Sequence, residues 1–193
     1  ALEISIVGYV SSIGDVTYQR GLDKTVDKEE VINSSVGCPD SKASKAMEAK
    51  ILSARKLKDT LGGSITCIAT GVPATLGSYV HWDKKLDAIL ARQFMSVQSV
   101  KAVEIGNAIE VSRKTGTEVQ DQYAIEGKKI NKISNNLGGF EGGMTNGEDL
   151  YVTAHLKPIS TTLTPIKSVN LFTKSETETV YERSDTCAVP RAI

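Results

Sequence analysis

Four stretches of the chain carry the apolar pattern of β-strands. Residues 2–12, 64–70 and 101–105 are short runs rich in β-branched and apolar types. Residues 149–157 (DLYVTAHLK) alternate apolar and polar positions, which is typical of a half-buried strand in a largely antiparallel sheet. The apolar face of that strand consists of Leu150, Val152, Ala154 and Leu156.

Two further stretches repeat apolar residues every three or four positions, as amphipathic helices do. The first begins at Asp40 and Ser41, whose side chains can accept hydrogen bonds from the unpaired amides of a first turn, and runs to about residue 60. Its predicted buried face consists of Met47, Ile51, Ala54 and Leu57. Asp83 is predicted to cap the second helix. The apolar side of that helix consists of Leu86, Ile89, Leu90 and Phe94.

The remaining segments are polar or rich in glycine. Residues 20–40 are predicted to form a loop, and residues 106–148, with weak periodicity and many glycines, an extended loop region. A late hairpin is predicted around residues 174–177. The order of strands and helices indicates a single α+β domain over residues 1–193, with a layered β-α-β core in which largely antiparallel sheets pack on helices.

Charge and cysteine content narrow the function classes. Lys+Arg and Asp+Glu both number 23, and this neutral total argues against a dedicated nucleic-acid binder. No apolar run reaches transmembrane length, so no membrane partner is expected. The three widely spaced cysteines suit a reducing cytoplasm, and two isolated histidines predict no metal site. The chain lacks a starting Met, and we expect it to be a fragment or trimmed form.

Three polar constellations could bind an anion, although each also has a plainer interpretation. Residues 134–143 (SNNLGGFEGG) allow close backbone approach to a flat or anionic ligand, or form a flexible turn. Residues 157–162 (KPISTT) offer a lysine, hydroxyls and free amides to a phosphate, or form a polar turn. In residues 183–191 (RSDTCAVPR), Arg183 and Asp185 could bind an anion and move a proton, or form a surface ion pair.

Taken in order, these stretches resemble the chorismate synthase family. Residues 71–106 (GVPATLG…KAVEIG) resemble the segment between that family's "GVPxGLG" turn and "KGVEIG" strand. Residues 134–143 resemble its "SNxAGGixGG" motif, and KPISTT resembles its flavin-phosphate turn. RSDTCAVPRA resembles its C-terminal "R-H/S-D-x-C" motif, so the resemblance covers nearly the whole chain.

The resemblance implies an enzyme that converts 5-enolpyruvylshikimate 3-phosphate to chorismate by a 1,4-anti elimination of phosphate, using reduced FMN. It implies that Arg183 faces flavin and substrate, and that Asp185, the catalytic residue, binds substrate and helps move the C6 proton through the flavin N5. The other implied cofactor contacts are Gln98, Ser99, Gly142, Lys157, Pro158, Ile159, Ser160 and Thr161. The family also implies a cytoplasmic homotetramer that acts on a small-molecule substrate.

Four positions depart from the family pattern by adding side-chain bulk to tight backbone. They are Thr75, Ala102, Ala108 and Leu137. The family's N-terminal half and its terminal helix are also missing from this chain. We therefore expect the 193-residue chain alone to bind FMN weakly and to turn over little or nothing. The alternative hypothesis is a non-catalytic module that binds flavin or phosphate on the same scaffold.

Overall fold

The computed structural model describes residues 3–18, 26–180 and 185–193. The strands of this part of the chain are β1 (Ser5–Ile13), β2 (Val16–Thr17), β3 (Gly63–Thr70), β4 (Val100–Ile105), β5 (Tyr123–Glu126), β6 (Lys129–Lys132), β7 (Phe140–Glu141), β8 (Met144–Thr145), β9 (Leu150–Leu156), β10 (Lys167–Asn170) and β11 (Ser175–Glu178). The helices are α1 (Lys28–Asn33), α2 (Ser41–Lys56), α3 (Leu86–Met95), α4 (Ala108–Val111) and α5 (Gly116–Val119). Two 3₁₀ turns lie at Trp82–Lys84 and Val189–Arg191.

A five-stranded antiparallel sheet in the order β2-β1-β3-β9-β4 forms the centre of the fold. All four strands predicted from the sequence belong to it. The alternation predicted for β9 is confirmed, because Leu150, Val152, Ala154 and Leu156 are buried and the residues between them are half-buried. The sheet packed on helices confirms the predicted α+β class.

Helix α2 packs on one face of this sheet. Met47 is fully buried and shares a core with Val10, Ile65 and Ala154 of the sheet. The predicted cap is present, since the Asp40 carboxylate accepts a hydrogen bond of 2.6 Å from the Ala43 amide. The helix ends at Lys56, a few residues before the expected limit.

Asp83 does not cap the second helix, so that prediction is wrong. Asp83 lies in the 3₁₀ turn before α3, and the chain becomes extended at Lys85 before the helix begins. The Leu86 amide instead donates to the main-chain oxygen of Gly143, at 2.8 Å. A carbonyl from the β7–β8 turn therefore satisfies the first amide of α3, in place of a local side chain.

Two predicted loops contain short elements. Helix α1 lies within residues 20–40, where the Asp27 carboxylate caps it and Val31 is buried. Helices α4 and α5 and the hairpins β5–β6 and β7–β8 lie within residues 106–148. These elements are two to six residues long, which is too short for an apolar period to reveal them. A late hairpin is present as β10–β11, but its turn lies at residues 171–174, and most of the stretch 174–177 expected at its centre belongs to β11. Within the described ranges, no helix is both long and apolar enough to span a membrane.

Candidate functional site

The KPISTT turn (residues 157–162) follows β9 and is fixed to two other loops. The Lys157 amide donates to the Ser99 main-chain oxygen at 2.9 Å, and the Thr60 hydroxyl donates to the Ile159 main-chain oxygen at 2.7 Å. Within the described residues, the amides of Ile159 and Ser160 donate no hydrogen bond. The turn is therefore held through the Lys157 amide and the Ile159 carbonyl, while two of its amides remain available to a ligand.

Gly62 permits the close approach on which this arrangement depends. A Cβ at Gly62 would collide with the Leu156 main-chain oxygen and would lie 2.9 Å from the Pro158 nitrogen. The amide of the preceding Leu61 donates to the Thr186 main-chain oxygen at 2.8 Å. The short segment after α2 thus brings the KPISTT turn and the segment around Thr186 together.

A cavity of about 410 Å³ lies where these segments meet. Two of the residues implied by the sequence, Thr161 and Asp185, line it together. The Asp185 carboxylate forms an ion pair of 2.8 Å with the Arg191 guanidinium, and both side chains are largely exposed. Residues 24 positions apart in sequence therefore face the same space.

Cations outnumber anions around this cavity. Arg55, Lys58 and Arg191 line it with Asp59 and Asp185, which leaves one net positive charge in a chain whose total is zero. Arg55 lies in the last turn of α2 and Lys58 two residues beyond its end, and neither belongs to a motif of the sequence analysis. Sequence reasoning therefore missed them, because periodicity does not show which exposed positions lie beside another segment.

Cys187 also lines the cavity. Burial raises the pKa of the Cys187 thiol, although a hydrogen bond with the Val189 backbone opposes this. The thiol therefore stays protonated near neutral pH and is a weak nucleophile there.

Ser99 and Gln98 lie at the other edge of the KPISTT turn. Ser99 has a left-handed backbone, with φ of 73°, and its carbonyl receives the Lys157 amide. The Gln98 side chain is exposed. The backbones of Ser99 and Lys157 are therefore in direct contact, which brings two of the implied cofactor residues together.

Asp121 organises the glycine-rich segment, and sequence reasoning missed it. Its carboxylate is buried and accepts hydrogen bonds from the Ser134 hydroxyl at 2.6 Å, the Asn136 amide at 2.7 Å and the Leu137 amide at 3.2 Å. A Cβ at Gly138 would collide with the backbone of Gly106. This part of the motif therefore serves chain packing, since its glycine meets the protein's own backbone.

Gly142 lies apart from the other implied cofactor residues. It belongs to the β7–β8 turn with φ of 62°, and the nearest atom to a Cβ added there would be Tyr79 Cβ, at 3.8 Å. That turn contacts the first residue of α3, whereas Gln98 follows the last turn. The ten residues of α3 span about 15 Å. The structure leaves open space beside Gly142 but does not bring it to the cavity.

The remaining sequence expectations fall as follows. Arg183 lies outside the described residues. Of the four bulkier positions, Thr75 has a left-handed backbone with φ of 73° and Ala102 lies at a bulge of β4. Leu137 is half-buried, and Ala108 begins α4. The described part of the chain shows no cluster of three metal-ligating side chains. His155 contacts Glu104 across the sheet at 3.4 Å.

Comparisons with known proteins point to one family. A family model described as chorismate synthase matches residues 1–193. A chorismate synthase of Rubrobacter xylanophilus is 42% identical over 189 residues, covering 98% of this chain and 48% of the relative. One of Listeria welshimeri is 44% identical over 194 residues, covering 99% of this chain and 50% of the relative. A crystal structure of chorismate synthase matches with a TM-score of 0.71 and 34% identity, covering 82% of this chain and 50% of that one. The chain thus spans about half the length of these relatives.

Proposed function

Because the chain belongs to the chorismate synthase family, we propose that it serves the 1,4-anti elimination of phosphate from 5-enolpyruvylshikimate 3-phosphate, which yields chorismate and uses reduced FMN. The supporting observation is the cavity that Thr161 and Asp185 line together. These residues come from two separate motifs of the resemblance, and the fold gives them a common space.

The residues of the KPISTT turn fit a flavin phosphate. The amides of Ile159 and Ser160 are available as donors, and Thr161 contributes a hydroxyl at the cavity wall. Lys157, Pro158, Ile159, Ser160 and Thr161 would hold the phosphate. Arg183, which lies outside the described residues, keeps the role that the resemblance implies, facing the flavin and the substrate. Ser99 and Gln98 would border the same group. Reduced FMN, when bound, supplies an electron-rich ring that offsets positive charge developing on the substrate.

Asp185 is the proposed proton-transfer residue. Its carboxylate stands at the cavity wall, where Arg191 fixes one of its oxygens at 2.8 Å. A carboxylate held in this way can hold or release a proton next to the substrate. The Arg191 guanidinium on the same wall would also stabilise the negative charge of the departing phosphate.

Gly142 has a separate place in the proposal. Its positive φ and the open space beside it allow a ligand to approach the backbone closely. Since α3 separates it from the phosphate-binding turn, we assign it to contact with the ring of the flavin and not with the phosphate. A cytoplasmic, homotetrameric protein is part of the proposal and follows from the family.

A chimera tests this function directly. We would replace the matching segment of the Listeria welshimeri relative with these 193 residues and measure chorismate formation with reduced FMN supplied. We expect the chimera to be active and the 193-residue chain alone to form little or no chorismate, since it spans about half the length of the relative.

Variants of the chimera then test the assigned role. Asp185→Asn should lower the rate by roughly 10²–10⁴-fold, the usual contribution of a positioned acid or base. Asp83→Asn, an exposed aspartate in the 3₁₀ turn before α3, is the matched control and should leave the rate unchanged. A folded chimera that neither binds FMN nor forms chorismate would refute the proposed function. A folded chimera that binds FMN but forms no chorismate would instead favour the non-catalytic alternative.

A further inference from the structure

Two cations at the end of α2 line the candidate cavity, and neither belongs to a motif of the resemblance. Arg55 lies in the last helical turn, and Lys58 lies two residues beyond the last helical residue. Both border the same cavity as Thr161 of the KPISTT turn. Ile51, Leu52 and Leu163 supply aliphatic surface beside them. The wall therefore combines apolar surface with positive charge.

Neither side chain has a partner within the described residues. No ion pair or side-chain hydrogen bond engages the guanidinium of Arg55 or the ammonium of Lys58 there, whereas Arg191 pairs with Asp185. The nearest acidic neighbour in sequence, Asp59, directs an oxygen to the Thr60 amide at 2.8 Å. The cavity thus presents two cations to which the described part of the chain provides no counter-charge.

The backbone of Lys58 supplies an independent observation. The Lys58 amide donates to Arg55 and the Asp59 amide to Ala54, which is the paired hydrogen-bond pattern of a Schellman helix end. The residue at the position of Lys58 in that pattern adopts a left-handed backbone, and glycine is usual there. Lys58 has φ of 59°, so a residue with a Cβ occupies a place where glycine would be free of strain. Strained residues of this kind concentrate at functional sites.

Cations at the end of a helix also have a purely structural explanation, because they complement the negative end of the helix dipole. That explanation applies equally to Lys56, which lies between the two residues in sequence and in the same last turn. Lys56 is exposed but does not line the cavity. The dipole therefore accounts for a basic last turn, but not for the convergence of Arg55 and Lys58 on the cavity.

We propose that Arg55 and Lys58 recognise the phosphate group of the flavin bound on the KPISTT turn. This inference rests on the proposed function, since it takes FMN as the ligand. Their side chains meet the phosphate from the end of α2, and Thr161 of the turn lines the same cavity. Each contact is a charge-assisted hydrogen bond. The attraction between exposed charges is screened by salt, so these contacts should weaken as ionic strength rises.

The test compares oxidised FMN with riboflavin, which lacks the phosphate. The 193-residue chain is added to a low concentration of either flavin, and fluorescence anisotropy reports binding up to millimolar protein. The wild-type chain should prefer FMN over riboflavin, and added salt should reduce the preference. Arg55→Gln and Lys58→Gln should each reduce it by roughly tenfold, the effect of losing one charge-assisted bond. Lys56→Gln is the matched control, because it removes the same charge from the same helical turn, and it should keep the preference.

A further variant separates recognition from folding. Lys58→Gly should raise the melting temperature, because it relieves the left-handed backbone, and yet it should lose the FMN preference as Lys58→Gln does. Retention of the preference in Arg55→Gln and Lys58→Gln would overturn the inference and leave the proposed function standing. Equal binding of FMN and riboflavin by the wild-type chain would also overturn it. Absence of binding to either flavin, in the chain and in the chimera alike, would refute the proposed function itself.

Discussion

Replacement of Asp121 should loosen the glycine-rich segment. The Asp121 carboxylate is only 8% exposed and accepts three hydrogen bonds from residues 134–137. Asp121→Ala removes the acceptor and leaves the amides of Asn136 and Leu137 without a partner. Asp121→Asn keeps the shape of the side chain and one of its two acceptor oxygens.

The magnitude follows from the number and kind of these bonds. A hydrogen bond to a charged group contributes roughly 1.5–3 kcal/mol, so three of them could contribute more than about 4 kcal/mol. Water can enter the opened loop and solvate the freed amides, which reduces the loss. We expect Asp121→Ala to lower the free energy of unfolding by about 3 kcal/mol and Asp121→Asn by about 1 kcal/mol. For a chain of this size, 3 kcal/mol corresponds to a fall in melting temperature of roughly 6–12 °C.

Urea unfolding and hydrogen exchange measure the two parts of this prediction. The exchange of the Asn136 and Leu137 amides should accelerate in both variants, and more in Asp121→Ala. The exposed Asp83→Asn serves as control and should stay within about 0.5 kcal/mol of wild type. If Asp121→Ala also stays within about 0.5 kcal/mol, the carboxylate does not organise the segment and the reasoning fails.

Three further substitutions or treatments test other parts of the structure. Thr75→Gly should stabilise the chain by about 1 kcal/mol in a thermal melt, because Thr75 is β-branched and has φ of 73°. Thr117→Gly is the control and should destabilise the chain, because Thr117 lies in the short helix α5. The ammonium of Lys132 holds the pKa of the Glu141 carboxyl below its usual value, so Glu141 adds stability above about pH 4.3 that is lost as the pH falls through the lower folded-state value. In thermal melts at a series of pH values, Glu141→Gln should reduce this loss of stability at acid pH, and Glu176→Gln should leave it unchanged. Burial raises the pKa of the Cys187 thiol, so its alkylation by iodoacetamide at pH 8 should be slow. FMN should slow this alkylation further, because the ligand would fill the cavity that Cys187 lines. Equal alkylation rates with and without FMN would show that FMN does not occupy the cavity.

The sequence predicted the parts of the fold that carry an apolar run or a regular apolar period. Strands β1, β3 and β4 are such runs, β9 alternates apolar and polar residues, and helix α2 repeats apolar residues every three or four positions. The start of α3 could not be predicted from local signals, because a carbonyl of Gly143, 57 positions away from Leu86, satisfies its first amide. The hairpins β5–β6 and β7–β8 depend on single turns and leave no period to detect.

The parts of the candidate site that lie within one short segment were predicted from the sequence. The parts that form only when distant segments pack together were missed. The KPISTT turn contains its own lysine, hydroxyls and free amides, and these can be recognised in a linear sequence. Arg55 and Lys58 become part of a site only because Gly62 lets the end of α2 lie against residues 156–158. Asp121 was missed for the same reason, since its partners follow it by 13 to 16 positions.

Left-handed backbone at non-glycine residues links the stability of this chain to its site. Four such residues occur in the described part of the chain, and three of them, Lys58, Thr75 and Ser99, lie in turns that form or border the implied contacts. Each costs roughly 1–2 kcal/mol relative to an unstrained residue, which together is a sizeable part of the roughly 5–15 kcal/mol of a typical domain. If the strain were incidental, glycine at any of the three would raise stability without other effect. We instead expect two of the three to differ. Thr75→Gly should only stabilise the chain, whereas Lys58→Gly should stabilise it and lose the preference for the phosphate.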